Sequence, residues 1–296
     1  MADGGLYSSY IANCVFNALA SLSAVLLNSV TIHALRKTLS LPTPLKTLLL
    51  SLAVSDLAVG LLVQPLCIAF CVMEMERPIK NYTFYSGTYY AFLVTGNLFF
   101  LASFFGVTAL SLDRYLAIHF HLRYQELVNH KRVVLGVVSI WVFSAILSLL
   151  RLWTPDHIIF LIFAIIEVAC LITAAFLNYN IFVAIRRHVY QVQALEVQPE
   201  VAQNVEMATI GRMRKSANAT VCVYLVFLVC YLPNICALWI RALTSEPSAV
   251  KHFKMLTLYF LTLLFLNSSL NPLIYCWKMR DIRHNIMNTI LNAFSC

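Results

Sequence analysis

Two carboxylates stand where carboxylates are costly: Asp56 inside the apolar run Lys46–Val72, and Glu167 inside Ile158–Ile185. An ionisable residue at mid-membrane costs roughly 2.5–3.5 kcal/mol on insertion scales, so each needs a partner or a task. Hydrogen-bonding residues in other apolar runs are the candidate partners of Asp56: Ser103, then Asn267, Ser268 and Asn271, with Asn28 in the first run. Glu167 has two readings. Either a cationic or hydrogen-bond-donating small ligand offsets its burial, or the carboxyl is protonated or bonded to a neighbouring helix for structure. Asn97, Phe100, Tyr231 and Asn234, with Gln64 more weakly, complete the candidate ligand set, and Asn97 and Asn234 serve equally well as interhelical hydrogen-bond glue. Asp113-Arg114-Tyr115 sets a carboxylate beside a guanidinium, which neutralises the arginine at rest and releases it when the acid is protonated or displaced. In Asn271-Pro272-Leu273-Ile274-Tyr275 the proline removes a backbone hydrogen bond and supplies a hinge about which Tyr275 swings inward; Pro233 kinks its own run in the same way.

The elements that must position these residues follow from composition. The 296-residue chain is 60% hydrophobic and 11% charged, with a mean hydropathy of +0.78. Soluble domains average about 45–50% apolar and about 25% charged residues, so a water-soluble globule is excluded, as is disorder. The net charge of +8 fits positive loops beside a membrane better than nucleic-acid binding. Spanning a bilayer core takes roughly 20 helical residues. Runs near Tyr10–Leu35, Lys46–Val72, Phe84–Ile118, Val133–Leu152, Ile158–Ile185, Ser216–Ala242 and Phe253–Cys276 meet that length, and they lack the strict alternation of barrel strands. The sequence therefore predicts an all-α membrane protein, a single seven-helix bundle over 1–296. Within the third run, Gly96, Ser103 and Arg114 share one helical face, a polar stripe that ends at the Asp-Arg-Tyr triplet.

Orientation follows from Lys and Arg. Fifteen of the 21, among them Arg36, Lys37, Arg114, Arg186 and Lys278, fall on one side, against Arg77, Lys80, Arg151, Arg241, Lys251 and Lys254 on the other. The bias predicts an extracellular amino terminus at the plasma membrane and a cytoplasmic carboxyl terminus, with no cleaved signal peptide. The sequon Asn81-Tyr82-Thr83 then lies outside and is a glycosylation candidate, whereas sequons at Asn218 and Asn267 stay bare. Beyond the last span, about residues 277–292, Ile282, Ile286 and Ile290 recur opposite Arg280, Arg283 and His284, which predicts a short amphipathic helix on the inner membrane surface. Cys296 is either a palmitoylation site or simply where this sequence stops.

One landmark per span carries a family resemblance. Asn28, Leu52-Ala53-Val54-Ser55-Asp56, Asp113-Arg114-Tyr115, Trp141, Tyr179, Pro233 and Asn271-Pro272 through Tyr275 come in order and at fitting spacing. The chain resembles rhodopsin-like (class A) G-protein-coupled receptors over nearly its whole length. That resemblance implies an agonist pocket open to the outside and a sodium ion near Asp56, Ser103, Asn267, Ser268 and Asn271. It further implies a heterotrimeric G protein engaged when the sixth helix moves outward, with Arg114, Tyr179 and Tyr275 supporting its docking.

Departures from the family are as informative. No cysteine lies in Phe84–Tyr90 or Trp153–His157, so the family's loop disulfide cannot form, and a staple would have to come from Cys14, Cys67 or Cys71. Otherwise the nine cysteines act as small buried apolar groups. Leu171 stands where the fifth span usually has proline. Both absences are similar to melanocortin receptors, and Asp113–Tyr124 resembles adenosine and melanocortin receptors alike, yet the melanocortin acidic cluster is reduced to Glu74 and Glu76. Tyr231 fills the usual tryptophan slot, as a ligand-sensing toggle or as core packing. Gly96 replaces the amine receptors' aspartate, and the absence of lysine between Met255 and Trp277 excludes a retinal Schiff base. No acidic residue lies in Ala208–Lys215 to hold Arg114 across helices, which leads us to expect raised basal signalling. At mid-membrane no histidine joins Asp56 and Glu167, so an enzyme is not expected. A transporter or ion-conducting protein using the polar mid-membrane line is the alternative, but the seven dissimilar spans show no paired repeats.

Overall fold

The computed structural model describes residues 2–76, 81–120, 123–194, 200–243, 247–279 and 282–287, and their side chains except at 2–5, 188–194, 200–210, 212–216, 238, 241–243 and 247–255. Seven long helices follow one another: α1 (Ala2–Lys37), α2 (Thr43–Met75), α3 (Tyr82–His119), α4 (His130–Leu150), α5 (Asp156–Ala194), α6 (Glu200–Leu243) and α7 (Pro247–Lys278). Each contains a segment long and apolar enough to cross a membrane, so this is the seven-helix, all-α membrane protein the sequence predicts. A lone helical turn, Tyr124–Leu127, separates α3 from α4, and residues 282–287 form a short helix, α8.

The helices run past the apolar spans because polar residues cap them beyond the hydrocarbon boundary. Asn81 Oδ1 accepts the Phe84 amide at 3.1 Å at the start of α3, and Asn129 Oδ1 accepts that of Arg132 at 2.9 Å at the start of α4. Pro44 sits in the first turn of α2, where its missing N–H costs nothing. Much of the long connection Arg186–Lys215 is helical too, since α5 continues to Ala194 and α6 resumes at Glu200.

Burial places α3 and α7 at the centre and α4 at the edge. Inside the bundle lie 56% of the most apolar window of α3 and of α7, against 17% for α4. The chief core cluster fills the half nearer the carboxyl terminus with Leu49, Leu52, Phe104, Leu110, Phe227, Tyr231, Leu264 and Tyr275. A second, nearer the amino terminus, gathers Tyr10, Val63, Phe92, Leu258 and Phe265. The amphipathic reading of α8 holds over its described part: Ile282 and Ile286 are buried, Arg283 and His284 exposed, and Asn285 Nδ2 donates to Thr38 Oγ1 at 2.7 Å. Arg280, Ile290, the remainder to 292 and Cys296 lie outside the described residues.

A π-helical turn at Val59–Val63 interrupts α2 just before Pro65. Pro65 lacks an N–H and its ring crowds the carbonyl four residues back, so the helix widens there. Gly60 lies in that turn against α1. A Cβ there would stand 3.0 Å from Val25 Cγ2 and 3.1 Å from both Ala24 Cβ and the Ser21 carbonyl oxygen. Ser21 Oγ in turn donates to the Gly60 carbonyl at 2.7 Å. The α1–α2 contact is thus closed at backbone distance, which fixes how Asn28 approaches the centre. Gly60→Val is expected to cost about 1–3 kcal/mol through overpacking, seen as a lower melting temperature of the purified protein. An unchanged melting temperature would contradict this close approach.

Candidate functional site

The polar residues of the central helices form three layers along the bundle. In the layer nearest the amino-terminal face, Glu167 of α5 is buried, and its Oε2 has no hydrogen-bond partner among the described residues. Tyr231 of α6 lies close enough to feel its charge. Tyr231 is held in an aromatic cluster, stacked 3.9 Å from Phe227 and edge-on to Phe104 at 4.5 Å and Phe100 at 6.4 Å. Phe100 reaches Phe265 of α7 at 5.8 Å, so four ring contacts tie α3, α6 and α7 together. Gln64 is wholly buried with both amide atoms unpartnered, and Asn97 Nδ2 is likewise unpartnered, among the described residues. Asn234 is half-buried beside Pro233. The Glu167, Gln64 and Asn97 atoms are each a buried polar group whose partner the described residues do not supply.

The middle layer surrounds Asp56. Asn271 Nδ2 donates to Asp56 Oδ2 at 2.8 Å, and Ser268 lies within hydrogen-bonding reach. Asn28 Nδ2 donates to the Ala24 and Ser268 carbonyls at 2.9 and 2.8 Å, tying α1 to α7. Ser103 does not bond Asp56 directly. It shares a 3.1 Å hydrogen bond with the adjacent Ser55 and lies within reach of the Tyr231 hydroxyl, bridging the aromatic cluster to this layer. Asp56 Oδ1, Asn28 Oδ1, Asn267 Oδ1 and Asn271 Oδ1 are buried with no hydrogen-bond partner among the described residues. Such a set, all oxygen with one formal negative charge, fits a small hard monovalent cation. Transition metals prefer nitrogen and sulfur, and the described residues hold no group of three His, Cys, Asp or Glu side chains able to hold a metal.

At the carboxyl-terminal face, Arg114 Nε donates to Asp113 Oδ2 at 2.9 Å and a second guanidinium nitrogen closes on the same oxygen. The other oxygen, Oδ1, accepts from the Tyr124 hydroxyl at 2.7 Å. Burial first, then the Asp113 carboxylate, pushes the Tyr124 phenol well above its ordinary range, so it stays a donor at physiological pH. Tyr115 stacks 4.1 Å from His119. Tyr275 is buried with its hydroxyl unpartnered among the described residues, and Pro272 is buried one turn before it. Tyr179 does not join them. It is 67% exposed on the outward stripe of α5 with Phe176 and Phe182, while Asn178 takes the inward position and bonds Ser111 of α3 at 3.0 Å.

The profile of the family described as 7 transmembrane receptor (rhodopsin family) matches residues 27–275. The chain belongs to that family. Melanocortin receptor 4 of Danio rerio is 26% identical over 290 residues, covering 94% of this chain and 84% of the relative. Adenosine receptor A3 of Ovis aries is 24% identical over 305 residues, covering 94% and 89%. Family members are receptors rather than enzymes, and the transporter alternative is not favoured.

Further contacts complete the receptor's polar framework, those of Tyr124 and Asn13 at residues that sequence reasoning did not single out. Tyr124 restrains Asp113 from the turn after α3, and Trp141 Nε1 bonds Ser51 of α2 at 3.0 Å. Toward the amino-terminal face, Asn13 donates to the Leu258 carbonyl at 2.9 Å and to Thr262 Oγ1, while Glu74 accepts from Tyr10 at 3.3 Å and from Tyr85. Asn13 and Asn17, one helical turn apart in an apolar run, were the available signal. The eight described cysteines are free thiols. Asn271→Ala leaves Asp56 short of its donor and is expected to cost about 1–3 kcal/mol, read as a fall in melting temperature. Exchanging the pair, Asp56→Asn with Asn271→Asp, is expected to recover most of that loss, because the same carboxylate–amide bond re-forms with its ends reversed. A swap no better than the single variant would argue against the pairing.

Proposed function

We propose that this receptor binds a small extracellular ligand through Glu167 and passes the event through Tyr231, Ser103 and the Asp56 layer to a G protein at the opposite face. The observation that carries the reading is the buried Glu167 oxygen with no partner among the described residues, close to Tyr231, whose aromatic cluster reaches the Asp56 layer through Ser103. An ammonium or strong donor set against that oxygen would replace hydration lost on burial. Asn97, Phe100, Asn234 and Gln64 would fix the ligand's orientation.

The change is a population shift between two packings of α6 about Pro233. Ligand at Glu167 displaces Tyr231, and with it the ring contacts to Phe104 and Phe227. The Asp56–Asn271 bond then loosens about Pro272, Tyr275 swings inward, and Arg114 leaves Asp113 to meet the carboxyl-terminal helix of a heterotrimeric G protein. Tyr115 and Tyr179 border that opening; Tyr179 would need α5 to rotate from the position described above. A sodium ion, when bound, supplies the countercharge of Asp56, with Ser103, Asn267, Ser268 and Asn271 as its oxygen donors. A cation held there would favour the packing in which Asn271 donates to Asp56.

The excess of basic residues on the carboxyl-terminal side supports an extracellular amino terminus at the plasma membrane. Asn81 is exposed, and its cap uses Oδ1, which leaves Nδ2 to carry a glycan. Cys296 would anchor the region after α8 through a palmitoyl chain. Tyr124 and the Asp113–Arg114 pair set the basal level, and the absence of acidic residues in Ala208–Lys215 raises it.

Three measurements on purified receptor with G protein test this. Glu167→Gln is expected to right-shift agonist potency by about 10- to 100-fold, the worth of a charge-assisted hydrogen bond, at unchanged surface expression; unchanged potency would remove Glu167 from the ligand site. Agonist-free nucleotide exchange is expected to fall when sodium replaces choline in the buffer and to stop responding in Asp56→Asn. Arg114→Ala is expected to abolish stimulated exchange, and agonist-free exchange no higher than in receptor-free membranes would contradict raised basal signalling.

A further inference from the structure

A second charged side chain is buried in the same half of the bundle, and it too lacks a full complement of partners. Arg151, at the end of α4, has a side chain only 1% exposed, and its Nε has no hydrogen-bond partner among the described residues. Its ion pair is a 3.2 Å contact to Asp156, whose own side chain is 67% exposed and so spends most of its charge on water. The guanidinium lies 4.5 Å over the ring of Phe160 on α5. Ser148, one turn back on α4, bonds the Val94 carbonyl of α3, so this face of α4 is turned into the bundle.

Phe160 and Glu167 are both buried on α5. Seven residues apart, they share one face to within about 20° and stand about 10.5 Å apart along the axis. Arg151, reaching from the end of α4 onto Phe160, and Glu167 thus stand near the two ends of one buried α5 stripe, opposite in charge, each with an unspent polar atom and with no ion pair between them. Asn97 Nδ2 is the further unspent donor on the facing helix α3. A buried charge without its counterpart is costly, and two of opposite sign at a fixed spacing ask for one molecule bearing both complements.

We infer that the receptor's ligand is zwitterionic, with an ammonium group for Glu167 and a carboxylate for Arg151, an ω-amino acid or short peptide with a free carboxyl end. The inference rests on the Glu167 reading above and adds the second pole. A singly charged carboxylate fits better than a doubly charged phosphate, because the guanidinium carries one charge and already shares part of it with Asp156.

The test uses wild-type receptor in nanodiscs and a panel of ω-amino acids, dipeptides and tripeptides, each as the free acid, the carboxyl amide and the N-acetyl derivative. Affinity is read from ligand-induced thermal stabilisation, which needs no G protein. At least one free acid is expected to bind, with its amide weaker by about 10- to 100-fold. Arg151→Gln is expected to bring the acid down to the amide's affinity while leaving the amide unchanged, and Arg151→Lys to recover part of the difference. Equal binding of acid and amide, equal weakening of both by Arg151→Gln, or no binding across the panel would each overturn the inference. An amide that binds as well as its acid and still depends on Glu167 would sink the Arg151 pole alone, and loss of Glu167 dependence with Arg151 dependence kept would sink the reading beneath it. Melting temperatures of the ligand-free variants separate misfolding from lost recognition.

Discussion

A carboxylate buried at the centre of an apolar bundle is the constraint around which this receptor is arranged. Asp56 is 1% exposed, and water cannot solvate it. The helices around it supply donors in place of water: the Asn271 amide and the Ser268 hydroxyl, both from α7. Meeting that demand brings α1, α2 and α7 to one point. It also explains the tight α1–α2 crossing at Gly60, where the widened turn before Pro65 lets the two backbones approach. The packing of half the bundle is in this sense subordinate to one charge.

The aromatic cluster and the Asp113 ion pair extend that centre in both directions. Tyr231 packs on Phe104 and Phe227, close to Glu167 and within reach of Ser103, so the rings form a dense core at this level. Dense cores rearrange between discrete packings, which is what a switch requires. At the far face the Asp113 carboxylate has both oxygens occupied, one by Arg114 and one by Tyr124. Two independent donors on a single acid make the resting position of Arg114 well defined.

The receptor lacks cysteines where its family usually joins the third span to a loop, and the described thiols are free. Hydrogen bonds take up the work of holding the amino-terminal ends together. Asn13 joins α1 to α7, and Glu74 joins α2 to both Tyr10 of α1 and Tyr85 of α3. Such bonds hold geometry without the permanence of a covalent link. The connection from α4 to α5 is a five-residue stretch between Leu150 and Asp156. Arg151 lies in it, with its side chain buried against α5.

The sequence alone determined the seven helices, their approximate limits and the identity of the central polar residues, because membrane spans are fixed by length and apolarity and ionisable residues inside them are conspicuous. It also paired Asp113 with Arg114, named Asn271 among five candidate partners of Asp56, and singled out Glu167 as an acid in need of a ligand or a neighbouring helix. Which groups touch was decided only by tertiary structure. Ser103 proved to bridge Ser55 and Tyr231 rather than meet Asp56, and Tyr179 faced outward while Asn178 faced in, since a rotation of one residue, about 100°, moves a side chain from core to lipid. Tyr124 and Arg151 were invisible as partners because each lies in or beside a loop, where no periodicity reports direction. Their contacts depend on how the chain turns between helices, and hydropathy carries no information about that turn.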